Sequence, residues 1–170
     1  MRVLSFDIGI VNMAYCLMDT TLDKKVVIRD WQILNIAEIP ECSMCKKRAK
    51  SFVQLKNHAD PTATSHFCPT HTKNYAEKHY PKKDIKAIKD TKDMDLDFLG
   101  GNLYKQLEAR GLFAEQIDWV LFENQPVLKN PKMKSIQMIL YSYFLYKKAL
   151  VDQKIENLKF YTAKKKLEIK

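Results

Sequence analysis

A chain of 170 residues with 46% apolar side chains is sized for one domain, or one domain with an insertion, and can bury a core, which excludes global disorder. Lys plus Arg outnumber Asp plus Glu by 29 to 20, and the formal charge of +9 suits a polyanion, either nucleic acid or an anionic membrane, with plain solubility as the alternative. No apolar leader with basic flanks and no bilayer-length apolar run is present, so the expectation is an intracellular, soluble chain that does not enter a membrane.

The first predicted elements are three strands, "RVLSFDI", "MAYCLMD" and "KKVVIRDWQILNI". The separators "GIVN" and "TTLDK" are short enough for an antiparallel meander. Asp7 is the oddity, because a carboxylate is a poor strand former and here it closes an apolar alternation. Residues 40–83 then change texture. They are polar and basic, lack clear periodicity and hold every histidine of the chain, which predicts an insertion with its own stabiliser.

That stabiliser is legible in the spacing. Cys42 and Cys45 form one pair and Cys68 and His71 another, each with two intervening residues. Two such pairs complete a tetrahedron of soft and borderline ligands, and a closed set of four predicts structural Zn²⁺ rather than a catalytic ion. His58 and His66 are candidate substitutes for one ligand, and Cys16 reads as an ordinary core residue. Lys46, Lys47, Arg48, Lys50 and Lys56 around the first pair fit either a phosphate contact or a solvated face.

Helical spacing returns with Leu96, Leu99, Leu103 and Leu107 on one face, with Gly100 and Gly101 weakening the middle and Gly111 suiting the end. "IDWVLFENQP" predicts a buried strand that ends in a second carboxylate, Glu123. A long helix follows, capped by Asn130 with Pro131 at its first position. Its apolar surface is too broad for one stripe, so Met138, Tyr141, Leu145 and Tyr146 are candidates for a subunit contact, with cover by the first helix as the alternative. "LKFYTA" predicts a last strand. Strands, helix, strand, helix, strand is an α/β pattern with a mixed sheet.

If the first strand and the Glu123 strand are neighbours, Asp7 and Glu123 project into one crevice at the sheet's edge and offer oxygen ligands to Mg²⁺. Two such ions can clamp an in-line attack on a phosphodiester. The alternative for Glu123, which precedes "NQP", is a loop cap. Lys129, Lys132 and Lys134, near the start of the long helix, and Lys164, after the last strand, are candidate phosphate contacts.

Taken together, "SFDIGIVNMAYCLMD", the acid of "FENQP" and the helix opening "NPKMKSIQM" resemble the poxvirus- and mitochondrial-type Holliday junction resolvases, a RuvC-like branch of the ribonuclease H-like superfamily, and most closely those of large DNA viruses. The resemblance implies one ribonuclease H-like domain over 1–170, interrupted by the zinc-binding insertion. It also implies Mg²⁺- or Mn²⁺-dependent cleavage of four-way DNA junctions by a homodimer at a viral replication site in the host cytoplasm or nucleus. Asp7 resembles the family's first-strand metal ligand and Glu123 its fourth-strand acid, while Gly9 and Asn12 match the hairpin after the aspartate. The family carries two further acids on a C-terminal helix. Asp152 and Glu156 precede the last strand and do not match them, and Glu168 has no acid to pair with. The expectation is therefore a C-terminally truncated form that cleaves poorly. The alternative is a non-catalytic, zinc-stabilised DNA-binding module on the same fold.

Overall fold

The computed structural model of the chain describes residues 1–23, 25–55, 59–60, 62–111, 116–126, 130–151 and 155–162. The chain divides into two units, one made of Met1–Ala37 with Met94–Lys170 and the other of Glu38–Asp93. In chain order the strands and helices are β1 (Arg2–Asp7), β2 (Met13–Thr20), β3 (Val26–Leu34), β4 (Ser51–Gln54), β5 (Thr64–Phe67), α1 (Pro69–His71), α2 (Glu77–His79), β6 (Lys86–Ala87), α3 (Leu96–Ala109), β7 (Ile117–Glu123), α4 (Pro131–Leu150) and β8 (Ile155–Tyr161).

In the first unit the sheet order is β3-β2-β1-β7-β8. The meander β1-β2-β3 is antiparallel, whereas β7 runs parallel to β1 and β8 parallel to β7. This is the expected mixed sheet. Period-two alternation sends Leu4 and Phe6 to one face with Tyr15, Val120 and Phe122, all essentially fully buried. Phe6 lies 5.3 Å from Phe144 of α4 and stacks on Phe122 at 6.1 Å between ring centroids. Burying rings of this size contributes about 1.5–3 kcal/mol each, and these tilted and offset pairings add to it.

The turn between β1 and β2 requires Gly9. A Cβ there would stand 2.5 Å from the carbonyl oxygen of Asn12, closer than any real contact. Helix α3 ends as its glycine predicts, with Gly111 at φ +58° just past the last turn. A Cβ added at Gly100 would stand 3.4 Å from the Ile139 side chain, so this mid-helix glycine faces α4. Leu99, Leu103 and Leu107 are buried as expected, whereas Leu96, in the exposed first turn, is not. Helix α4 begins at the expected cap: the Asn130 side chain accepts a hydrogen bond from the Met133 main-chain N–H at 3.2 Å.

The second unit holds a three-stranded antiparallel sheet of order β5-β4-β6. Its small core is Val53, Phe67 and Ala76, with Tyr75, Tyr80 and Ile85 packed around them. A core this small is a weak source of stability on its own.

Candidate metal sites

β1 and β7 pair with Phe6 opposite Phe122. Asp7 and Glu123 each follow one residue later, as the last residues of their strands. Neighbouring strands stand about 4.8 Å apart, and residues at matched register share a face. The two carboxylates therefore leave the same face of the sheet at the same edge. β8 adds Tyr161 opposite Glu123, and its hydroxyl donates to the Phe6 carbonyl oxygen at 3.2 Å, so the side chain crosses the end of β7. On this face Ser5, Asp7, Ala14, Cys16, Ile28, Trp31 and Tyr161 line an open recess of about 360 Å³. Cys16 is thus a partly buried recess residue rather than a core one, and burial pushes its thiol up.

The loop after β7 is held by side chains. The Gln125 amide donates to Glu123 Oε2 at 3.0 Å, and the Gln125 main-chain N–H donates to Gln137 Oε1 at 2.9 Å. Gln137 is fully buried on α4, and its Nε2 has no hydrogen-bond partner among the described residues. Lys134 Nζ donates to Asn124 Oδ1 at 3.0 Å and to Gln137 Oε1 at 3.2 Å and rests over the Phe160 ring. Lys132 Nζ donates to the Met94 carbonyl at 2.6 Å. Both lysines are therefore engaged within the chain, while Lys129 and Lys164 lie outside the described residues. Sequence reasoning missed Gln125, Gln137 and Tyr161. For Gln137 a signal existed, since it is the polar member of the helical stripe Met133, Gln137, Leu140, Phe144.

The cysteines and histidine do converge. The ligand atoms of Cys42, Cys45, Cys68 and His71 all lie within 4.8 Å of one another and could hold a metal ion. The Cys45 and Cys68 sulfurs are 3.7 Å apart, and His71 Nδ1 lies 3.4 Å from the sulfur of Cys42 and 3.5 Å from that of Cys68. A tetrahedron with metal–sulfur bonds of about 2.3 Å has edges of about 3.8 Å, so the donor set fits such a centre. Local geometry explains the convergence. Lys46, at φ +58°, closes a tight turn in which its N–H returns to the Cys42 carbonyl. Pro69 starts the single turn α1, which sets Cys68 and His71 three residues apart on one side. Burial acts to raise the Cys42 thiol, but hydrogen bonds from the backbone of Cys68 and Met44 and from the His71 ring outweigh it and bring the thiol down to about 6. A thiol so poised is a ready thiolate ligand. The candidate substitute His66 stands on β5 with its ring beside Phe52, and His58 lies outside the described residues.

The mixed five-stranded sheet and its flanking helices make a ribonuclease H-like α/β fold. The chain is similar to the solved structure of the yeast mitochondrial Holliday junction resolvase Ydc2, with 19% identity, 98% of this chain and 55% of that one covered, and a TM-score of 0.52. It is 28% identical over 218 aligned positions to an uncharacterized protein of Acanthamoeba polyphaga mimivirus, covering 85% of this chain and 52% of the relative. The chain thus spans about half the length of the proteins it matches. No protein-family model matches it. Among the described residues, no helix is long and apolar enough to cross a membrane.

Proposed function

We propose that the chain carries the site of a structure-selective DNA endonuclease that resolves four-way junctions, with Asp7 and Glu123 holding a divalent ion, Mg²⁺ or Mn²⁺. The observation that carries this reading is the register of β1 and β7, which brings two carboxylates remote in sequence to adjacent strand ends on one face. The likeness in fold to a Holliday junction resolvase supports the choice of substrate. Paired carboxylate oxygens beside an open recess fit a hard cation that keeps part of its water. Such an ion, when bound, supplies positive charge for the attacking and departing oxygens of phosphodiester hydrolysis.

The chain's own residues do the positioning. The Gln125 amide fixes one oxygen of Glu123, and Gln137 fixes Gln125. Tyr161 ties β8 to the end of β1, where Asp7 sits. The ammonium of Lys134 has three donors and uses two within the chain, so one is left for a phosphate at the start of α4. Lys129, Lys132 and Lys164 are the other proposed DNA contacts. Cys42, Cys45, Cys68 and His71 would hold structural Zn²⁺, and two subunits would face the two strands cut at a junction.

The test reads metal and cleavage separately. Mn²⁺ binding followed by electron paramagnetic resonance should weaken at least about 10-fold in Asp7→Asn and in Glu123→Gln. Asp7→Asn should abolish junction cutting and leave junction binding intact. Cutting by Asp7→Asn refutes the assignment. A second reading, a zinc-stabilised DNA-binding module without catalysis, is favoured by the Cys–His cluster in a basic unit. It wins if junction binding is tight while Mn²⁺ affinity is the same in wild type and Asp7→Asn.

A further inference from the structure

The second unit holds twelve Lys and Arg against seven Asp and Glu, so a third of the chain carries more than half of its net charge. The backbone sorts those charges. Ala49, Ser51 and Val53 are buried, and the residues alternating with them, Arg48, Lys50, Phe52 and Gln54, turn outward. Register then sets His66 beside Phe52 on one side and Lys86 on the other. The Phe52 and His66 rings stand 6.2 Å apart, tilted by 37°, and the Thr64 hydroxyl lies 3.3 Å from His66 Nε2 and orients that ring. Lys50 meets Asp90 at 3.4 Å with both side chains about half exposed, a pair that solvent weakens. Arg48 and Lys86 form no ion pair among the described residues. The face is pinned to the cysteine turn by two bonds, Ser43 N–H to the His66 carbonyl at 2.8 Å and His66 N–H to Ser43 Oγ at 3.0 Å.

We infer that this outer face of the β5-β4-β6 sheet binds an unpaired DNA strand, with Phe52 and His66 as the stacking platform and Arg48, Lys50 and Lys86 as the phosphate contacts. Bases in a duplex cannot use aromatic faces, whereas an unstacked strand can, whatever its sequence. Arg48, Lys50 and Lys86 share this face with the two rings, which suits a polyanion rather than an apolar segment of protein. The inference goes beyond the cleavage site and rests on the nuclease reading only in the choice of DNA as the polymer.

The experiment is anisotropy of a fluorescein-labelled oligothymidylate titrated with the zinc-loaded full chain over a salt series. Arg48→Gln with Lys86→Gln should weaken binding about 10-fold and flatten the slope of log affinity against log salt by about 1.4, since each cation on a single strand accounts for about 0.7. Phe52→Leu, which keeps an apolar side chain, should weaken binding by about 5-fold or more and leave the slope unchanged. Retained zinc content reports that each variant is folded. Unchanged affinity and slope in the folded charge variant overturns the inference. Mn²⁺ binding should be the same in wild type and in Arg48→Gln with Lys86→Gln, so the outcome at this face is separate from the fate of the cleavage site.

Discussion

The buried carbonyl oxygen of the Gln137 side chain accepts the main-chain N–H of Gln125 at 2.9 Å, and the Gln125 side chain in turn holds Glu123. A helix side chain therefore sets the loop that sets the acid. Gln137→Met keeps the volume and removes the acceptor, leaving the Gln125 N–H without this partner. The cost should be about 1–2 kcal/mol, because the lost hydrogen bonds are partly offset by removing the unpartnered Nε2. Urea denaturation measures it. If the relay also serves the site, Mn²⁺ affinity should fall with the stability, and an unchanged affinity would confine Gln137 to a structural role.

At the opposite end of the same strands, Asp19 ties the meander together. Arg2 meets it with two bonds, at 2.8 and 3.1 Å, and Arg29 with one at 2.7 Å. The hydrogen bonds from Arg2, then those from Arg29, hold its carboxyl well below the usual carboxylate range. A depressed folded value means the stabilisation is complete above the unfolded value of about 3.9 and is lost as pH falls through the folded one. Asp19→Asn should therefore cost about 1–2 kcal/mol near pH 7, and the gap to wild type should close progressively below about pH 4. Thermal melts at pH 7, 4 and 3 check both the size and the direction.

The four-ligand cluster predicts that the second unit depends on metal, because its buried apolar core is Val53, Phe67 and Ala76. The purified chain should contain one zinc. A strong chelator should abolish the near-ultraviolet signal of Tyr75 and Tyr80 while the Phe6–Phe122–Phe144 cluster of the first unit stays folded. His71→Ala should lower metal affinity by more than about 10-fold, the lower end of what loss of a mere supporting contact costs. Acid acts in the same direction, since the cysteines must be thiolates to bind and protons compete with the metal for them.

What could be read from the sequence follows from how local the cause is. β1, β2 and β7 show their period of two within their own residues, and α4 announces itself through Asn130 and Pro131. The cysteine–histidine quartet was readable because ligand spacing is itself a local property. β4, β5 and β6 were not readable. They are two to four residues long, and what buries them is a cluster assembled from Val53, Phe67 and Ala76 across more than twenty positions. The placing of Asp7 and Glu123 at neighbouring strand ends depended on β7 lying parallel to β1, a pairing that neither segment encodes alone and that could only be posed as a condition. The bonds that occupy Lys132 and Lys134 were invisible for the same reason, as one partner is the Met94 carbonyl and another a buried glutamine.

The broad apolar surface of α4 now divides into residues with internal partners and residues without cover. Tyr141 packs on Phe122 and Phe160, at 5.6 and 4.9 Å between ring centroids, and is half-buried against its own unit. Tyr143 is covered by Tyr104 of α3, and the half-buried Ile139 faces Gly100 of the same helix. Met138, Leu145 and Tyr146 remain exposed, and Tyr146 borders a recess of about 540 Å³ that Tyr104 and Tyr143 also line. Met138 and Leu145 are seven residues apart and share one stripe, which is the spacing a facing helix would read. If two copies meet here, Met138→Glu with Leu145→Glu should convert a sedimenting dimer to a monomer with little loss of thermal stability, since neither side chain supports the core. A wild-type chain that sediments as a monomer at concentrations of tens of micromolar would remove α4 as the subunit contact.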